Sequence, residues 1–306
     1  MTTKSYHGLL LVDKPSGFSS HDVVALIRKI FQTKEVGHSG TLDPMATGLM
    51  VLLLGEATKL SNYITDGDKA YDVSVRMGIE TDTLDTTGTV IQEKPVLKSH
   101  TEIQNTATSL IGGFQLNIPM YSAKKIDGKK MYEYARENQV IEIPQKKMTF
   151  WDVQTCDNRK SEEDIQFSIQ CSKGSFIRSW VKLLGEKCDT LATMSALRRT
   201  RSHLFQIENA VTFETLKNNL ENLDQFLVSM SDALPEVKKI KVKGHDETLL
   251  KNGQISHDLR TQLIIKFNPA VDELIQICPA SGIGILALIG IEPEKGFKIK
   301  RIFNSF

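Results

Sequence analysis

The sequence predicts an α+β fold in which strands and helices are interleaved irregularly. Residues 71–77 and 165–171 alternate apolar and polar side chains, as half-exposed strands do. The patterns Ser-x-x-Asp at 19–22 and Ser-x-x-Glu at 99–102 mark two helix starts, because the serine and the acid cap each other's backbone N–H groups. Strands that read as hairpins, rather than as repeated strand–helix–strand units, favour α+β over a doubly wound sheet.

The N-terminal part of the chain supplies the first strand and the first helix. Residues 7–12 are a short apolar run that predicts a strand, and this strand stops at the Lys-Pro-Ser-Gly segment 14–17. The helix that follows the first capping pattern has apolar residues on one face, namely Val23, Ile27, Ile30 and Phe31. The apolar run 49–54 has the length of a buried strand, and 57–64 predicts a short helix.

The middle of the chain is predicted to contain two strands that are each followed by a helix. The strand at 71–77 is followed by a helix that begins after Ser99. The strand at 165–171 leads, through a turn at Gly174, into another helix. Arg178 is therefore expected where that strand meets its helix.

The last part of the chain is predicted to be a separate, strand-rich unit. An acidic helix over 221–232 leads to a boundary at Pro235. Beyond it lie four strand-like runs, at 240–243, 263–267, 275–278 and 282–291. Short strands with Gly and Pro between them are typical of a small β-barrel. We therefore expect two domains, 1–234 and 235–306.

Composition indicates an ordinary globular protein. The chain has 306 residues, of which 25% are charged and 40% apolar, and its net charge is +1. That charge neither favours nor excludes a polyanionic partner. The four cysteines are scattered, which predicts neither a disulfide framework nor a zinc site. We expect a cytoplasmic location and no membrane, because no secretory signal pattern is visible and the apolar runs are too short to cross a bilayer.

One loop has the composition of a functional site. Residues 37–48 read Gly-His-Ser-Gly-Thr-Leu-Asp-Pro-Met-Ala-Thr-Gly, which forms neither a regular helix nor a regular strand. Its single carboxylate, Asp43, precedes a buried strand, and a loop on a rigid scaffold is a good position for a reactive group. The alternative is that Asp43 only caps the turn, since Asp-Pro often opens turns.

The segment 119–140 combines basic and aromatic residues. It contains Lys124, Lys125, Lys129, Lys130 and Arg136, interleaved with Tyr121, Tyr132 and Tyr134. Such a charge run can be a solvated face. It also suits looped or single-stranded RNA, which requires neutralised phosphates and stacked bases.

The loop and several other segments together resemble the TruB-type tRNA pseudouridine synthases, whose catalytic motif is shared by the dyskerin relatives. The loop motif at 37–44, with Gly48, continues in Gly-Glu-Ala-Thr-Lys at 55–59. Further matches follow in family order at 11–17, 68–71, 78–85, 171–179 and 197–200. The resemblance covers most of residues 8–234 and is weaker beyond Pro235.

The resemblance implies a fold, a reaction and a partner. The fold would be the pseudouridine synthase fold, a mixed, largely antiparallel sheet flanked by helices, with an RNA-gripping insertion at about 119–147 and a PUA-type RNA-binding domain at 235–306. The reaction would convert the T-loop uridine at position 55 of tRNA to pseudouridine. It conserves all atoms, so no cofactor or metal is expected. The partner would be the tRNA T stem-loop, without a guide RNA, and the enzyme would act as a monomer.

The resemblance also assigns catalytic roles. Asp43 would act on a flipped-out uridine, as a nucleophile toward the ribose C1′ or the uracil ring, or as a base that starts elimination. Arg178 would keep Asp43 ionised, because a bidentate guanidinium lowers a carboxylate's pKa. The alternative for Arg178 is a structural ion pair. Tyr71 would stack on the base or transfer a proton to or from the sugar or base, although a tyrosine at the start of a strand is also a common core residue.

Further residues would contact the RNA. Leu197 would supply an apolar wall, and Phe176 would pack where many relatives carry tyrosine. His38 would support the RNA loop or serve as a turn residue, and Lys14 would be structural or face a phosphate. The basic contacts would come from Lys124, Lys129 and Lys130. His203 stands where relatives commonly carry glycine, which makes the turn after Arg201 uncertain.

Two other functions compete with this reading. A non-catalytic RNA-binding or RNA-folding protein could use the same surfaces, but it would not need Asp43, Tyr71 and Arg178 together. A metal-dependent hydrolase could use Glu80, Asp82 and Asp85, but these acids fit neither an EF-hand nor an His-Glu-x-x-His template.

Overall fold

The chain folds into one large sheet, a smaller C-terminal sheet and helices packed against them. The computed structural model describes residues 5–137, 139–156, 164–267, 274–281, 284–292 and 296–304. The strands in this part of the chain are β1 (Gly8–Lys14), β2 (Val36–His38), β3 (Thr47–Leu54), β4 (Lys69–Met77), β5 (Ile79–Thr81), β6 (Val90–Glu93), β7 (Gly112–Asn117), β8 (Lys125–Ile126), β9 (Lys129–Lys130), β10 (Gln145–Thr155), β11 (Asp164–Cys171), β12 (Ala192–Ser202), β13 (Phe205–Gln206), β14 (Leu227–Val228), β15 (Lys238–Val242), β16 (Leu274–Pro279), β17 (Ala287–Glu292) and β18 (Gly296–Ile302). The α-helices are α1 (Ser20–Ile30), α2 (Ser61–Thr65), α3 (His100–Ser109), α4 (Met131–Arg136), α5 (Ile177–Lys187), α6 (Phe213–Lys217), α7 (His245–Lys251) and α8 (His257–Lys266).

The large sheet has ten described strands. Its order is β14-β1-β3-β12-β4-β11-β10-β7, with β2 paired to β3 and β13 paired to β12. The neighbouring strands described here run antiparallel, except β3 and β12, which are parallel. The predicted α+β class with a mixed, largely antiparallel sheet is confirmed.

Local chemistry explains why two of the helices begin where they do. Ser19 accepts a hydrogen bond from the Asp22 N–H, and the Asp22 carboxylate accepts one from the Ser19 N–H at 2.9 Å. Ser99 and Glu102 make the same reciprocal pair at the start of α3. Both predicted capping boxes are confirmed. The predicted helix over 57–64 is instead a 3₁₀ helix, Gly55–Leu60, followed by α2.

Aromatic packing fixes helix α5 against the sheet. Trp180 is fully buried, and its ring centre lies 5.8 Å from that of Phe167 and 6.5 Å from that of Phe150. Truncating a buried aromatic side chain of this size costs about 3–5 kcal/mol. The first turn of α5, which carries Arg178, is therefore held firmly beside strands β10 and β11.

Gly48 allows the parallel strands β3 and β12 to approach closely. Its φ is +99°, and a side-chain Cβ there would lie 2.7 Å from the backbone nitrogen of Arg199. Any other residue would be strained in this backbone region and would also collide with β12. The end of the Asp43 loop is thereby brought against Arg199.

The C-terminal prediction is only partly right. The strands at 240–243, 275–278 and 282–291 correspond to β15, β16 and β17, although residues 282 and 283 lie outside the described part. The strand over 263–267 is wrong, because these residues end helix α8, which Ser256 caps. The acidic helix over 221–232 is also wrong: the chain forms a 3₁₀ helix, Leu220–Phe226, kinked at Asn222, and then strand β14.

The described C-terminal strands form an open sheet rather than a barrel. Their order is β15-β16-β17-β18, with the first pair parallel and the others antiparallel. Because 263–267 is helical, one predicted strand is missing, and no barrel closure is found among the residues described. Phe303 is buried in a cluster that includes Leu60, and the Asn304 N–H donates to Glu56 at 2.8 Å.

The described residues include no helix long and apolar enough to cross a membrane.

Candidate active site

A cavity of about 410 Å³ lies beside the Asp43 loop. Its lining comes from that loop, β4, β12, the start of α5, β10 and the basic insertion. The predicted site residues in the lining are Asp43, Tyr71, Lys124, Phe176, Arg178 and Leu197. The predicted residues that do not line it are Lys14, His38, Lys129 and Lys130.

The loop that carries Asp43 is fastened on both sides of the carboxylate. The Ser20 hydroxyl donates to the Leu42 carbonyl at 3.0 Å and accepts from the Leu42 N–H at 2.8 Å. The Lys14 ammonium donates to the Pro44 carbonyl at 3.2 Å. Because Leu42 and Pro44 flank Asp43, these bonds fix its backbone against β1 and α1.

Arg199 fastens the same loop from β12, a role that the sequence did not assign. It is only 2% exposed, and its Nε donates to the Leu49 carbonyl at 2.7 Å. Its other nitrogens donate to the carbonyls of Thr41, at 3.3 Å, and Gly40, at 3.2 Å. The sequence signal for Arg199 was the family match at 197–200, which includes this arginine but assigns it no function.

Arg178 connects the loop to two other segments. Its Nη2 lies 3.0 Å from Asp43 Oδ2 and also donates to the Tyr121 carbonyl at 3.0 Å. Its Nη1 lies 3.6 Å from Asp85 Oδ2 and donates to the Thr83 carbonyl at 2.9 Å. The predicted ion pair with Asp43 is present, but it is not the expected bidentate pair, because the guanidinium is shared between two carboxylates.

The Asp43 carboxyl has a perturbed proton affinity. Burial raises its pKa above the ordinary value, the Arg178 guanidinium lowers it, and the charge of Asp85 raises it again. The side chain still exposes 32% of its surface. Asp43 is thus a partly desolvated carboxylate that depends on Arg178 to remain ionised and that a ligand in the cavity can reach.

Asp85 is a second buried acid at this site. Only 4% of the residue is exposed, and its Oδ1 accepts from the Thr83 hydroxyl at 2.9 Å and the Thr87 N–H at 3.0 Å. Oδ2 faces Arg178. The motif at 78–85 contained Asp85, but the sequence considered it only as a metal ligand for the alternative hydrolase.

The acids of that alternative each have a separate partner. Glu80 pairs with Lys182 at 2.7 Å, and Asp82 accepts from the Thr89 N–H at 2.8 Å. Asp85 is bound as described above. The three carboxylates therefore do not converge on one point, and this geometry does not favour a hydrolase.

Tyr71 contributes a buried aromatic ring to the cavity. It lies on β4, in register with Arg199 of β12 and Ile169 of β11, and is 9% exposed. Burial raises the pKa of its hydroxyl to about 12. At neutral pH the hydroxyl is therefore protonated, which leaves the ring as an uncharged surface on which a base can stack.

Phe176 and Leu197 supply the apolar part of the wall. Phe176 is the residue before α5, is half-buried, and donates its N–H to the sulfur of Met148 at 3.3 Å. Leu197, on β12, is 8% exposed. Both line the cavity.

His38 and Lys14 do not line the cavity. His38 ends β2, and its Nδ1 accepts from the Gly40 N–H at 3.3 Å; burial lowers the pKa of its imidazole. Lys14 is fully buried, and its ammonium donates to the carbonyls of Phe18, at 2.7 Å, and Pro15, at 3.0 Å, besides Pro44. Burial lowers its pKa to about 8. Of the two roles left open for Lys14, the geometry matches the structural one.

The cations of the insertion mostly interact within the insertion itself. Lys129 forms an ion pair with Glu137, and its ammonium lies 4.6 Å from the centre of the Tyr134 ring. The Lys130 ammonium is 3.2 Å from the Tyr132 hydroxyl. Among the three predicted basic contacts, only Lys124 lines the cavity.

His203 adopts the conformation that explains the family's glycine. Its φ is +56°, in the left-handed region, at the turn between β12 and β13. Its N–H donates to the Asp68 carbonyl at 2.8 Å, and its own carbonyl accepts from Arg201 at 3.1 Å. The turn therefore forms although histidine stands where relatives commonly carry glycine.

The chain matches a protein-family model and is similar in sequence to several known proteins. Residues 28–177 match the family model described as TruB family pseudouridylate synthase, N-terminal domain. The tRNA pseudouridine synthase B of Bdellovibrio bacteriovorus is 50% identical over 308 residues, covering 99% of both chains. The protein of the same name from Caldicellulosiruptor saccharolyticus is 44% identical over 221 residues, or 71% of this chain and 76% of the relative. That of Bacillus cytotoxicus is 37% identical over 254 residues, or 80% and 83%.

Two solved structures have a similar fold. An H/ACA RNP bound to a substrate RNA containing 2′-deoxyuridine aligns with a TM-score of 0.68 and 19% identity, over 98% of this chain and 86% of that one. A Cbf5-Nop10-Gar1 complex aligns with a TM-score of 0.66 and 19% identity, over 98% and 85%. At this identity the likeness concerns the fold alone.

Proposed function

The chain belongs to the TruB family of pseudouridylate synthases, with their pseudouridine synthase fold, and we propose that its target is uridine 55 in the T loop of tRNA. Relatives at 37–50% identity are tRNA pseudouridine synthases, so the chain is an RNA uridine isomerase acting on tRNA. The choice of uridine is supported by the loop motif at 37–44. Its sequence resembles that of enzymes specific for this position.

Asp43 is the proposed reactive group. The observation that carries this proposal is that Asp43 is the only carboxylate among the described residues lining the cavity. It contacts Arg178 and keeps a third of its side chain accessible. An ionised carboxylate in this position can attack the ribose C1′, attack the uracil ring, or remove a proton to start elimination.

The bond changes define what the remaining residues must do. The N1–C1′ bond breaks, the uracil turns, a C5–C1′ bond forms, and the proton on C5 leaves while N1 gains one. Arg178 would hold Asp43 in its anionic form until it attacks the substrate or takes up a proton. The protonated Tyr71 would stack on the base, and Leu197 and Phe176 would exclude water from the turning ring.

The uridine must leave the RNA stack to reach Asp43. Such extrusion is the rule for enzymes that act on a nucleobase, because the reacting atoms are inaccessible in a stacked helix. We propose that the insertion at 119–147 grips the RNA while the cavity receives the base. Its start is well placed for this, since the Tyr121 carbonyl accepts from Arg178.

The C-terminal unit is proposed to extend the RNA contact. We keep the division into 1–234 and 235–306, with a PUA-like role for the second part. The basic residues Lys238, Lys239 and Lys241 on β15 and Lys298, Lys300 and Arg301 on β18 support this role. We also propose that a single protein chain binds tRNA directly, without a guide RNA; the name of the relatives, tRNA pseudouridine synthase B, supports tRNA as the substrate.

Tritium release from C5-labelled uridine in an unmodified tRNA transcript tests the proposal. The wild-type protein should release tritium from a transcript with uridine 55 and not from one in which cytidine replaces it. Release that persists after this replacement would place the target elsewhere. Absence of release from both transcripts would contradict the proposed site.

A further inference from the structure

The cavity lining has a large excess of positive charge. Against the single carboxylate of Asp43 stand Lys69, Lys124, Lys146, Lys173, Arg178 and Arg199. A polyanionic ligand benefits from such an excess only if some of these cations have unused hydrogen-bond donors.

Four of the six cations are already occupied. Arg178 is bound by two carboxylates and two carbonyls, and Arg199 by three carbonyls. Lys69 is 6% exposed and donates to two backbone carbonyls. Lys173 forms an ion pair with Asp66. These groups hold the protein together and have little capacity left for a ligand.

Lys124 and Lys146 are the remaining two. The Lys146 ammonium donates to the carbonyls of Lys173, at 3.1 Å, and Gly174, at 2.9 Å. A lysine has three N–H donors, so one is unused. In the described part of the chain, the Lys124 side chain has no ion pair and no hydrogen bond. Lys146 is half-buried, and its pKa is lowered first by burial and then by the charge of Lys124.

We propose that Lys124 and Lys146 form a phosphate-binding subsite for the phosphodiester next to the flipped-out uridine. This inference rests on the proposed function. A base that reaches Asp43 stays attached to its strand, so the flanking phosphates must lie at the entrance of the cavity. Lys124 of the insertion and Lys146 of β10 both line the cavity. A phosphate between them relieves their mutual repulsion and joins the insertion to the large sheet.

Binding to a modified RNA tests this subsite directly. The probe is a T stem-loop RNA in which one phosphodiester beside the target uridine is replaced by an uncharged methylphosphonate. Lys124→Met and Lys146→Met should each weaken binding of the unmodified RNA roughly fivefold, the upper end for an exposed ion pair. Neither variant should weaken binding of the modified RNA further. Because the subsite holds a single phosphate, the slope of log affinity against log salt should fall by at most about 0.7–0.9, whether one lysine or both are replaced.

Neighbouring lysines provide matched controls. Lys125→Met and Lys147→Met remove the same charge one residue away, outside the cavity lining, and should leave the effect of the methylphosphonate unchanged. Lys124→Met breaks no described side-chain hydrogen bond, so we expect its fold and melting temperature to match those of the wild type. For Lys146, a Gln variant retains an amide donor for the two carbonyls and should behave like Met.

Two results would overturn the subsite. One is that Lys124→Met and Lys146→Met weaken both RNAs equally; the other is that they weaken neither. These outcomes differ from failure of the proposed function, in which the wild-type enzyme would release no tritium.

Discussion

Replacing Arg178 with lysine tests whether the guanidinium keeps Asp43 ionised. The two groups are 3.0 Å apart, which at an effective dielectric constant of about 20 gives an attraction of about 5.5 kcal/mol. A lysine side chain is shorter than that of arginine and lacks the planar guanidinium. With its ammonium about 5 Å from the Asp43 carboxylate, the attraction would be about 3.3 kcal/mol. The loss of about 2 kcal/mol of attraction would raise the pKa of Asp43 further above its ordinary value.

The sign of the pH effect follows from the charge of the reactive form. Burial already raises the pKa of Asp43 above its ordinary value, so a further rise brings protonation toward neutral pH. Because the anion reacts, the rate of Arg178→Lys should fall more steeply than wild type as pH decreases and recover toward alkaline pH. Tritium release at saturating tRNA should place the acidic midpoint of kcat at a higher pH than that of the wild type.

Arg198→Lys is the matched control for this experiment. Arg198 makes a bidentate pair with Asp13, at 3.0 and 2.7 Å, and does not line the cavity. Its lysine variant should retain the wild-type pH profile. Arg178→Lys leaves buried oxygen atoms without donors, so thermal melting must first establish that it is folded. A folded Arg178→Lys enzyme with a wild-type pH profile would refute the proposed role of the pair.

Three further variants test the reactive carboxylate, its loop and the basic insertion. Asp43→Asn should abolish isomerisation while tRNA binding stays within about tenfold, or ~1.4 kcal/mol; substantial tritium release by this variant would remove Asp43 from the mechanism. Arg199→Lys should lower kcat at least tenfold (~1.4 kcal/mol) with little change in KM, because the carbonyls of the Asp43 loop lose hydrogen-bond donors. An unchanged kcat in a folded variant would show that the loop does not need these hydrogen bonds. Neutralising the four insertion lysines together should weaken the salt dependence of tRNA binding; these are Lys124, Lys125, Lys129 and Lys130. The slope of log affinity against log salt should fall by about 0.7–0.9 for each phosphate that they contact. An unchanged slope would indicate that these lysines only form a solvated surface.

Sequence reasoning succeeded where local chemistry decides the structure. The capping box at Ser19 and Asp22 is complete within four residues, so the start of α1 could be read directly. The apolar run at 49–54 is buried because every residue in it is apolar. Asp43 stood out because Gly, Pro and hydroxyl residues around one carboxylate specify an irregular loop.

The sequence failed where an apolar run had two possible structures. Residues 263–267 contain three consecutive apolar residues and resemble a strand. In the structure Leu263 is buried, whereas Ile264 and Ile265 are 59% and 78% exposed, because helical spacing turns them outward. The Ser256 cap that starts this helix lies seven residues earlier, outside the run that suggested a strand.

The sequence by itself determined the family, the α+β class and the residues Asp43, Tyr71 and Arg178 as the candidate centre. Only the tertiary structure decided how these residues are supported. Arg178 is shared with Asp85, and Arg199 clamps a loop that lies about 150 positions before it, at contacts no local pattern encodes. The physical reason is that a side chain's partners depend on the register of strands distant in sequence. A charged group that is buried among those strands must then be paired by the partners that they bring to it.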